Sequence, residues 1–261
     1  MSEYYIDEDA LNALVEMIGD PSAETGTQLV QSWLHDLKTR GMTRIRRQLH
    51  SLRSDFSEKK AVIDYLGLPI LQTKRAFSWN EPRPPMVVPD RLIFRSFDQV
   101  GYEVFSDTVA KAHQQTLDRN EQNALKELEN KQGSFAEWLK TEFEEASVYF
   151  DYEPDWWQVA YNKAGQIVGY IQPVVFKDNT QENLREGTLY YMGVVLEARG
   201  NGYVNDLLAQ SIATLQTVGV WRIYCDTDSE NYPMIRAFEK AHFEEDGIYY
   251  IWQGELDALI H

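Results

Sequence analysis

The chain has 261 residues, of which 43% are hydrophobic and 13% aromatic, so it can bury a sizeable core and is not globally disordered. Its 41 acidic and 25 basic residues give a formal charge of −16, which argues against nucleic acid and anionic membranes as partners. The sequence has neither an apolar run long enough to span a membrane nor an N-terminal signal region, and it contains one cysteine, Cys225, which predicts a cytoplasmic protein. Its five histidines lack metal-ligand spacing, so no metal site is predicted.

The first 80 residues show apolar spacing typical of alternating helices and strands. Helices are predicted at Asp9–Ile18 and Leu29–Leu37, and a helix is expected to end within Ala61–Leu68. Strands are predicted at Thr43–Leu49, despite its arginines, and at Leu71–Trp79.

This N-terminal part resembles a shortened copy of the C-terminal part. At one constant shift Leu29 aligns with Leu207 and Gly41 with Gly219. Because helical patterns match one another easily, chance similarity is the alternative to an internal repeat.

A proline-rich stretch follows, with four prolines between Glu81 and Asp90, and it is predicted to be an extended linker. Beyond it, the pattern indicates the order β-α-α-β-β-β-α-β-α-β. The predicted segments are Arg91–Phe97, Asp98–Leu117, Asn123–Glu145, Trp156–Tyr161, Gln166–Phe176, Thr188–Leu196, Asn205–Leu215, Val220–Cys225, Asn231–His242 and Gly247–Gln253.

A turn with two glycines joins the strand that ends at Leu196 to the following helix. Gly200 and Gly202 allow the backbone to adopt positive φ and to approach a ligand closely. The helix N-terminus behind them offers free N–H groups and a partial positive charge. The turn therefore predicts a cradle for a phosphate or pyrophosphate, and an ordinary strand-to-helix turn is the alternative.

The spacing Arg199-x-x-Gly202-x-Val204 resembles the Arg/Gln-x-x-Gly-x-Gly/Ala signature of the GNAT N-acetyltransferases, from which Val204 departs. The order of elements over about residues 91–253 is also that of the GNAT fold. The resemblance implies an α+β (α/β) fold with a mixed, mostly antiparallel central sheet flanked by helices. It divides the chain into a smaller, degenerate half-GNAT-like domain without a CoA site (1–81), the linker (82–90) and an acetyltransferase domain (91–261).

The family resemblance also implies the residues that bind acetyl-CoA. A backbone N–H of Val194 or Val195 would polarise the thioester carbonyl, and Asn231 would hydrogen-bond the pantetheine arm or cap its helix. The pyrophosphate would be bound by the loop residues Arg199, Gly200, Asn201, Gly202, Tyr203 and Val204.

Catalysis is expected to need a group that takes a proton from the acceptor amine. Asp226 stands where some GNAT members carry a glutamate, and it could act through one water, whereas a solvated carboxylate is the alternative. Phe238 occupies the place of the family's general-acid tyrosine, and the sequence does not identify its replacement. Trp156, Trp157 and Tyr191 are predicted to border the acceptor site, with core packing as the alternative.

The leading hypothesis is a cytoplasmic N-acetyltransferase that transfers acetyl from acetyl-CoA to a primary amine, with a small molecule preferred to a protein as the acceptor. The alternative is a non-catalytic CoA-binding or interaction protein, which Phe238, Val204 and the degenerate first part favour. The expected partners are acetyl-CoA and the amine, without nucleic acid or membrane, and a homodimer is compatible with them. The sequence identifies neither the acceptor nor the role of residues 1–80.

Overall fold

The computed structural model describes residues 3–18, 23–130, 132–178 and 184–259. The chain forms two compact units: the first comprises Met1–Arg75 and Gly247–His261, and the second comprises Ala76–Asp246. These units differ from the predicted division into 1–81 and 91–261. The last residues belong to the first unit because the final strand is hydrogen-bonded to an N-terminal strand.

The first unit is a small sheet with helices, as the apolar spacing indicates. In it, β2 pairs in parallel with β1 and in antiparallel with β10, and its core includes Leu34, Ile45, Ile63 and Trp252. The elements that lie wholly or partly in it are β1 (Glu3–Tyr5), α1 (Glu8–Ile18), α2 (Ala23–Thr39), β2 (Arg44–His50), α3 (Phe56–Tyr65), β3 (Ile70–Asn80), β10 (Glu244–Glu255) and α9 (Leu256–Leu259).

The arginines of β2 are accommodated by ion pairs. Arg47 is buried, and its guanidinium donates to Glu8 at 2.6 Å and to the Ile6 carbonyl at 2.6 Å. Arg44 donates to Glu255 at 2.6 Å. Because the terminal nitrogens of the Arg47 guanidinium and the Nε of Arg44 have acceptors, the alternation of Ile45 and Leu49 with arginines still forms a strand.

The second unit contains a mixed sheet in which β4–β6, β6–β7 and β7–β8 are antiparallel pairs and β8–β9 is parallel. Its strand order is β3-β9-β8-β7-β6-β4, with β5 paired to β7. The elements are β4 (Leu92–Ser96), α4 (Phe97–His113), α5 (Arg119–Asn130), α6 (Phe135–Tyr149), β5 (Phe150–Asp151), β6 (Gln158–Asn162), β7 (Ile167–Phe176), β8 (Arg185–Val194), α7 (Tyr203–Val218), β9 (Val220–Asp228) and α8 (Tyr232–Lys240).

Helices cover both faces of this sheet, which confirms the predicted fold class. On one face α4 and α6 contribute Phe105 and Leu139 to a core that contains Tyr170 of β7. On the other face α7 and α8 contribute Ile212 and Phe238 to a core that also contains part of β9. The mostly antiparallel sheet is thus a rigid support for the loops at the ends of its strands.

Several predicted elements have different bounds in the structure, and two of the differences change how the segments before β6 are divided. The single helix predicted at Asn123–Glu145 is two helices, because Ser134 caps α6 by accepting a hydrogen bond from the Glu137 N–H. The strand predicted at Trp156–Tyr161 begins only at Gln158, so both tryptophans lie in the preceding turn.

Candidate functional site

Strands β8 and β9 pair over only part of their length. Their register runs from Arg185 opposite Val220 to Gly187 opposite Ile223, although both strands continue beyond these residues. Among the described residues no further pair joins them. A gap therefore opens between the C-terminal halves of two neighbouring parallel strands, where an extended ligand can reach the backbone.

A β-bulge in β8 determines which of its backbone N–H groups point toward this gap. Tyr191 lies opposite Gln172 and Leu189 opposite Pro173, so Tyr190 is an extra residue in β8. Beyond the bulge the Val195 N–H donates to the Val168 carbonyl at 2.9 Å. Since N–H groups alternate between the two edges of a strand, the Val194 N–H points to the gap. Of the two predicted backbone donors, Val194 is the one available to a ligand.

The loop after β8 combines two left-handed glycines with an exposed helix start. Gly200 and Gly202 have φ of 79° and 73°, and α7 begins at Tyr203. A 3₁₀ turn at Leu196–Ala198 leads into the loop. Within the part of the chain that the structure describes, the N–H groups from Gly200 to Val204 have no hydrogen-bond partner. Successive free donors at a helix N-terminus form an anion-binding cradle.

Arg199 fixes the loop to the end of α4. Its guanidinium donates to the carbonyls of Ala112 and Gln114 at 2.8 Å, Gln115 at 3.0 Å and Val194 at 3.1 Å. These carbonyls include the unsatisfied acceptors of a helix C-terminus, where a cation is favourable. The Arg199 side chain therefore positions the loop, and the backbone of the following residues is left to face a ligand.

A second cation lies beside the cradle. The half-exposed Arg91 donates to the Asn201 carbonyl at 2.9 Å and to Asp206 at 3.1 Å, and it stacks over the Tyr203 ring at 4.8 Å. Burial raises the pKa of the Asp206 carboxyl, and Arg91 opposes this shift. Arg91 thus places a guanidinium, ion-paired with Asp206, next to the free N–H groups.

Asn231, which follows the end of β9, is the N-cap of α8. Its side chain accepts from the Met234 N–H at 3.4 Å and donates to the Thr227 hydroxyl at 3.1 Å. His242, just after the C-terminal end of α8, has a φ of 64°. Phe238 is buried against Phe77 at a centroid distance of 5.0 Å, so it belongs to the core.

Asp226 and Cys225 point to opposite sides of β9. The Asp226 side chain is exposed, whereas Cys225 is buried and burial raises the pKa of its thiol to about 12. A thiol with this pKa is protonated at neutral pH and is not a nucleophile. Of the two, only Asp226 has the exposure that proton transfer to a ligand or water requires.

The three aromatic residues predicted to border the acceptor site have different surroundings. Trp157 is only 3% exposed and stacks on Tyr152 at 4.1 Å, which assigns it to the core rather than to a substrate wall. Trp156 is half-buried at the edge of the cores on both faces. Tyr191 is half-buried and its ring centroid lies 5.8 Å from that of His113.

The structure brings together a cluster that the sequence did not indicate. His113 Nε2 lies 3.8 Å from a carboxylate oxygen of Glu121, and the His113 ring stacks on Tyr170 at 6.4 Å. Burial, together with the charge of Glu121, raises the pKa of Tyr170 and of Tyr191 well above the ordinary value. No spacing in the sequence links His113 at the end of α4 to Glu121 in the first turn of α5, because their contact depends on tertiary folding.

The described ranges contain neither a candidate metal site nor a candidate membrane span. No group of three or more His, Cys, Asp or Glu residues there has the arrangement of a metal site. No described helix combines the length and the hydropathy that crossing a membrane would take.

Comparison with known proteins agrees with this geometry. The model of the acetyltransferase (GNAT) family matches residues 122–243. A GCN5-related N-acetyltransferase from Sphaerobacter thermophilus has a similar structure, with a TM-score of 0.61 and 15% identity over 92% of this chain and 70% of that chain. No curated protein matches the sequence.

A tandem GNAT protein from the clavulanic acid biosynthesis pathway is also similar, with a TM-score of 0.59 and 15% identity over 91% of this chain and 72% of that chain. A GNAT-family acetyltransferase from Colwellia psychrerythraea has a TM-score of 0.51 and 15% identity over 90% and 74% of the two chains. The chain therefore carries a GNAT-family fold, with the matched GNAT domain at residues 122–243 and an additional N-terminal half.

Proposed function

We propose that the second unit transfers an acetyl group from acetyl-CoA to a primary amine, most simply that of a small molecule. Acetyl transfer from an acyl-CoA is the activity that the family and fold support in general. The observation that carries the proposal is the loop from Gly200 to Val204, with its free N–H groups beside the gap between β8 and β9.

The residues of the site fit a pyrophosphate with an extended arm. The cradle is exposed, carries two left-handed glycines and is adjacent to Arg91, which suits a dianionic group. From there the pantetheine arm of acetyl-CoA can run along β8 within the gap. The Val194 N–H would face it from the β8 side and the Asn231 side chain from the β9 side. This arrangement would place a thioester in the gap between the Val194 N–H and the bulge at Tyr190 and Tyr191.

Acetyl-CoA would supply an activated acetyl thioester. The amine nitrogen forms a bond to the carbonyl carbon, the carbon–sulfur bond breaks, and CoA leaves as a thiol. An ammonium group carries three protons and the product amide carries one, so two protons leave the nitrogen. One of them ends on the thiol and the other in solvent. Asp226, exposed on β9, is our candidate to take the proton that leaves as the new bond forms.

The two glycines that cap α7 have the same left-handed backbone conformation, so they provide a matched pair of variants. Gly202 and Gly219 cap opposite ends of the helix with φ of 73° and 81°. A side chain is strained at both positions by roughly 1–2 kcal/mol. Gly202→Glu should abolish acetyl-CoA binding, because its carboxylate would meet the pyrophosphate, whereas Gly219→Glu should bind like the wild type. Calorimetric titration measures both affinities.

Activity is tested by CoA-thiol release with benzylamine, 1,4-diaminobutane, glucosamine and lysine as acceptors. We expect at least one amine to accelerate release by the wild type and by Gly219→Glu, and none to accelerate release by Gly202→Glu. Tight binding without amine-dependent release would favour a non-catalytic CoA-binding protein. Equal affinity of Gly202→Glu and the wild type would remove the loop from the site.

A further inference from the structure

His113 has a buried nitrogen without a hydrogen-bond partner. Its side chain is 4% exposed, and its Nδ1 lies 2.9 Å from the Val109 carbonyl oxygen. Because a carbonyl only accepts, Nδ1 carries a proton, and in the neutral ring Nε2 is then an acceptor. Nε2 is buried and has no hydrogen-bond partner in the described structure. Buried acceptors without a donor are rare and call for an explanation.

The nearest charged atom to this nitrogen is a carboxylate oxygen of Glu121 at 3.8 Å. The same oxygen accepts a hydrogen bond from the Thr116 hydroxyl at 2.7 Å, which fixes its position. While the His113 ring is neutral and Glu121 is ionised, Nε2 and this oxygen are both hydrogen-bond acceptors. One additional proton would convert the pair into a charge-assisted hydrogen bond.

Glu121 lies in the first turn of α5, a helix whose start contacts the end of β9. At the start of its helix, the Arg119 N–H donates to Asp228 at 3.3 Å, and the Arg119 guanidinium pairs with Glu230 at 2.9 Å. These contacts hold α5 across the end of β9. The Glu121 side chain is 18% exposed, so it can contact a ligand while His113 stays buried behind it.

We propose that Glu121 and His113 form a dyad that receives the ammonium group of the acceptor and takes its first proton. This inference rests on the proposed acetyl transfer. Glu121 contacts the ammonium, the proton passes from nitrogen to the carboxylate, and Nε2 of His113 accepts it. The amine is left neutral with its lone pair free for the thioester carbon. Asp226 remains the candidate for the second proton, so the two groups act in sequence.

The other titratable groups around the dyad do not take over this role. Tyr170 of β7 and Tyr191 of β8 face His113, and burial raises both pKa values well above the ordinary value, so both phenols stay neutral. Glu142 of α6 accepts a hydrogen bond from the Tyr190 hydroxyl at 3.2 Å. Its negative charge, together with that of Glu121, favours a cationic acceptor over a neutral one. The proposed substrate class is therefore an aliphatic amine that is an ammonium ion at neutral pH.

The test compares two carboxylates of α5. Glu121→Gln keeps the shape and the Thr116 contact but removes the charge, and Glu129→Gln removes an exposed charge from the same helix. With the best aliphatic amine of the acceptor panel, Glu121→Gln should lower kcat/KM for the amine by about 10²–10⁴-fold at neutral pH. The KM for acetyl-CoA should stay unchanged, and Glu129→Gln should behave like the wild type.

The pH profile separates proton transfer from a structural effect. Without the dyad, only amine that is already neutral in solution can react, so the rate of Glu121→Gln should rise about tenfold per pH unit below the amine's pKa. The wild type should show a flatter profile. His113→Asn preserves a donor for the Val109 carbonyl but lacks Nε2, and it should show the same steep profile. Aniline, which is neutral at pH 7, should lose little rate in Glu121→Gln.

Thermal unfolding verifies that the variants are folded. If Glu121→Gln does not fold, Glu121→Asp serves in its place and should retain an intermediate kcat/KM. An active wild type with an equally active Glu121→Gln would overturn the dyad while leaving the proposed function intact. A wild type that binds acetyl-CoA but acetylates no amine would contradict the proposed function and the dyad together.

Discussion

At the scale of single residues, the surroundings of a side chain decide which chemistry it can perform. Asp226 and Cys225 are neighbours on β9, yet one is exposed and the other is buried. Burial protects the thiol from ionisation and leaves the carboxylate as the reactive member of the pair. Exposure gives Asp226 access to water, which is the route by which it could reach an amine.

Replacement of Asp226 tests its proposed role in proton transfer. Asp226→Asn should keep acetyl-CoA affinity and lose about 10²–10⁴-fold in kcat, because the amide cannot accept a proton. The loss should persist as pH rises, since neutral amine in solution replaces only the first proton transfer, which is assigned to Glu121 and His113. Steady-state rates across pH check both expectations. A wild-type rate at every pH would place the base elsewhere without affecting the CoA site.

The KM of the amine separates Asp226 from Glu121. Asp226→Asn should change kcat with little effect on that KM, because Asp226 is proposed to act after the amine is bound. Glu121→Gln should change kcat/KM for the amine through binding as well. Identical kinetic defects in the two variants would show that the two carboxylates do not have separate roles.

At the scale of elements, the loop after β8 depends on the helix that its arginine holds. Arg199 donates to carbonyls at the end of α4, and the Cβ position of Gly193 in β8 is 2.9 Å from the Ala112 side chain. A larger residue at Gly193 would push α4 away from β8. The close approach therefore supports both the loop and the position of His113 beside Tyr191.

Arg199→Ala should destabilise the protein by roughly 1–3 kcal/mol, because the helix loses charge-assisted hydrogen bonds and partly buried carbonyls lose their donors. Urea denaturation measures the change in the free energy of unfolding. Arg236→Ala, which removes an exposed arginine from α8, is the control and should have little effect. A stability loss no larger than that of the control would show that Arg199 does not hold α4.

Sequence periodicity could predict the elements whose packing dominates their formation. The helix after Gly202 is predicted because its apolar residues repeat with the helical period, and strand β7 is predicted as a short, nearly continuous apolar run. The division into α5 and α6 was missed, since the cap at Ser134 lies inside a long stretch of helix-forming residues. The contact of His113 with Glu121 could not be predicted, because it joins two helices through tertiary packing alone.

At the scale of the whole molecule, the two units differ in the features that would bind CoA. The second unit has the two-glycine loop and the gap between parallel strands. In the first unit, the internal alignment that pairs Leu29 with Leu207 places Pro21–Gly26 opposite the loop, and residues 21 and 22 lie outside the described residues. The sequence there lacks the required spacing of glycines. The proposal that the first unit is a half domain without a CoA site rests on this sequence difference.

Calorimetric titration of the full-length chain with acetyl-CoA tests this account most directly. We expect one binding site per chain, with the affinity lost in Gly202→Glu and retained in Gly219→Glu, because the cradle lies in the second unit and the sequence of the first unit lacks its glycine spacing. A stoichiometry of two, or binding that survives Gly202→Glu unchanged, would contradict the assignment of the site to the loop between Arg199 and Val204.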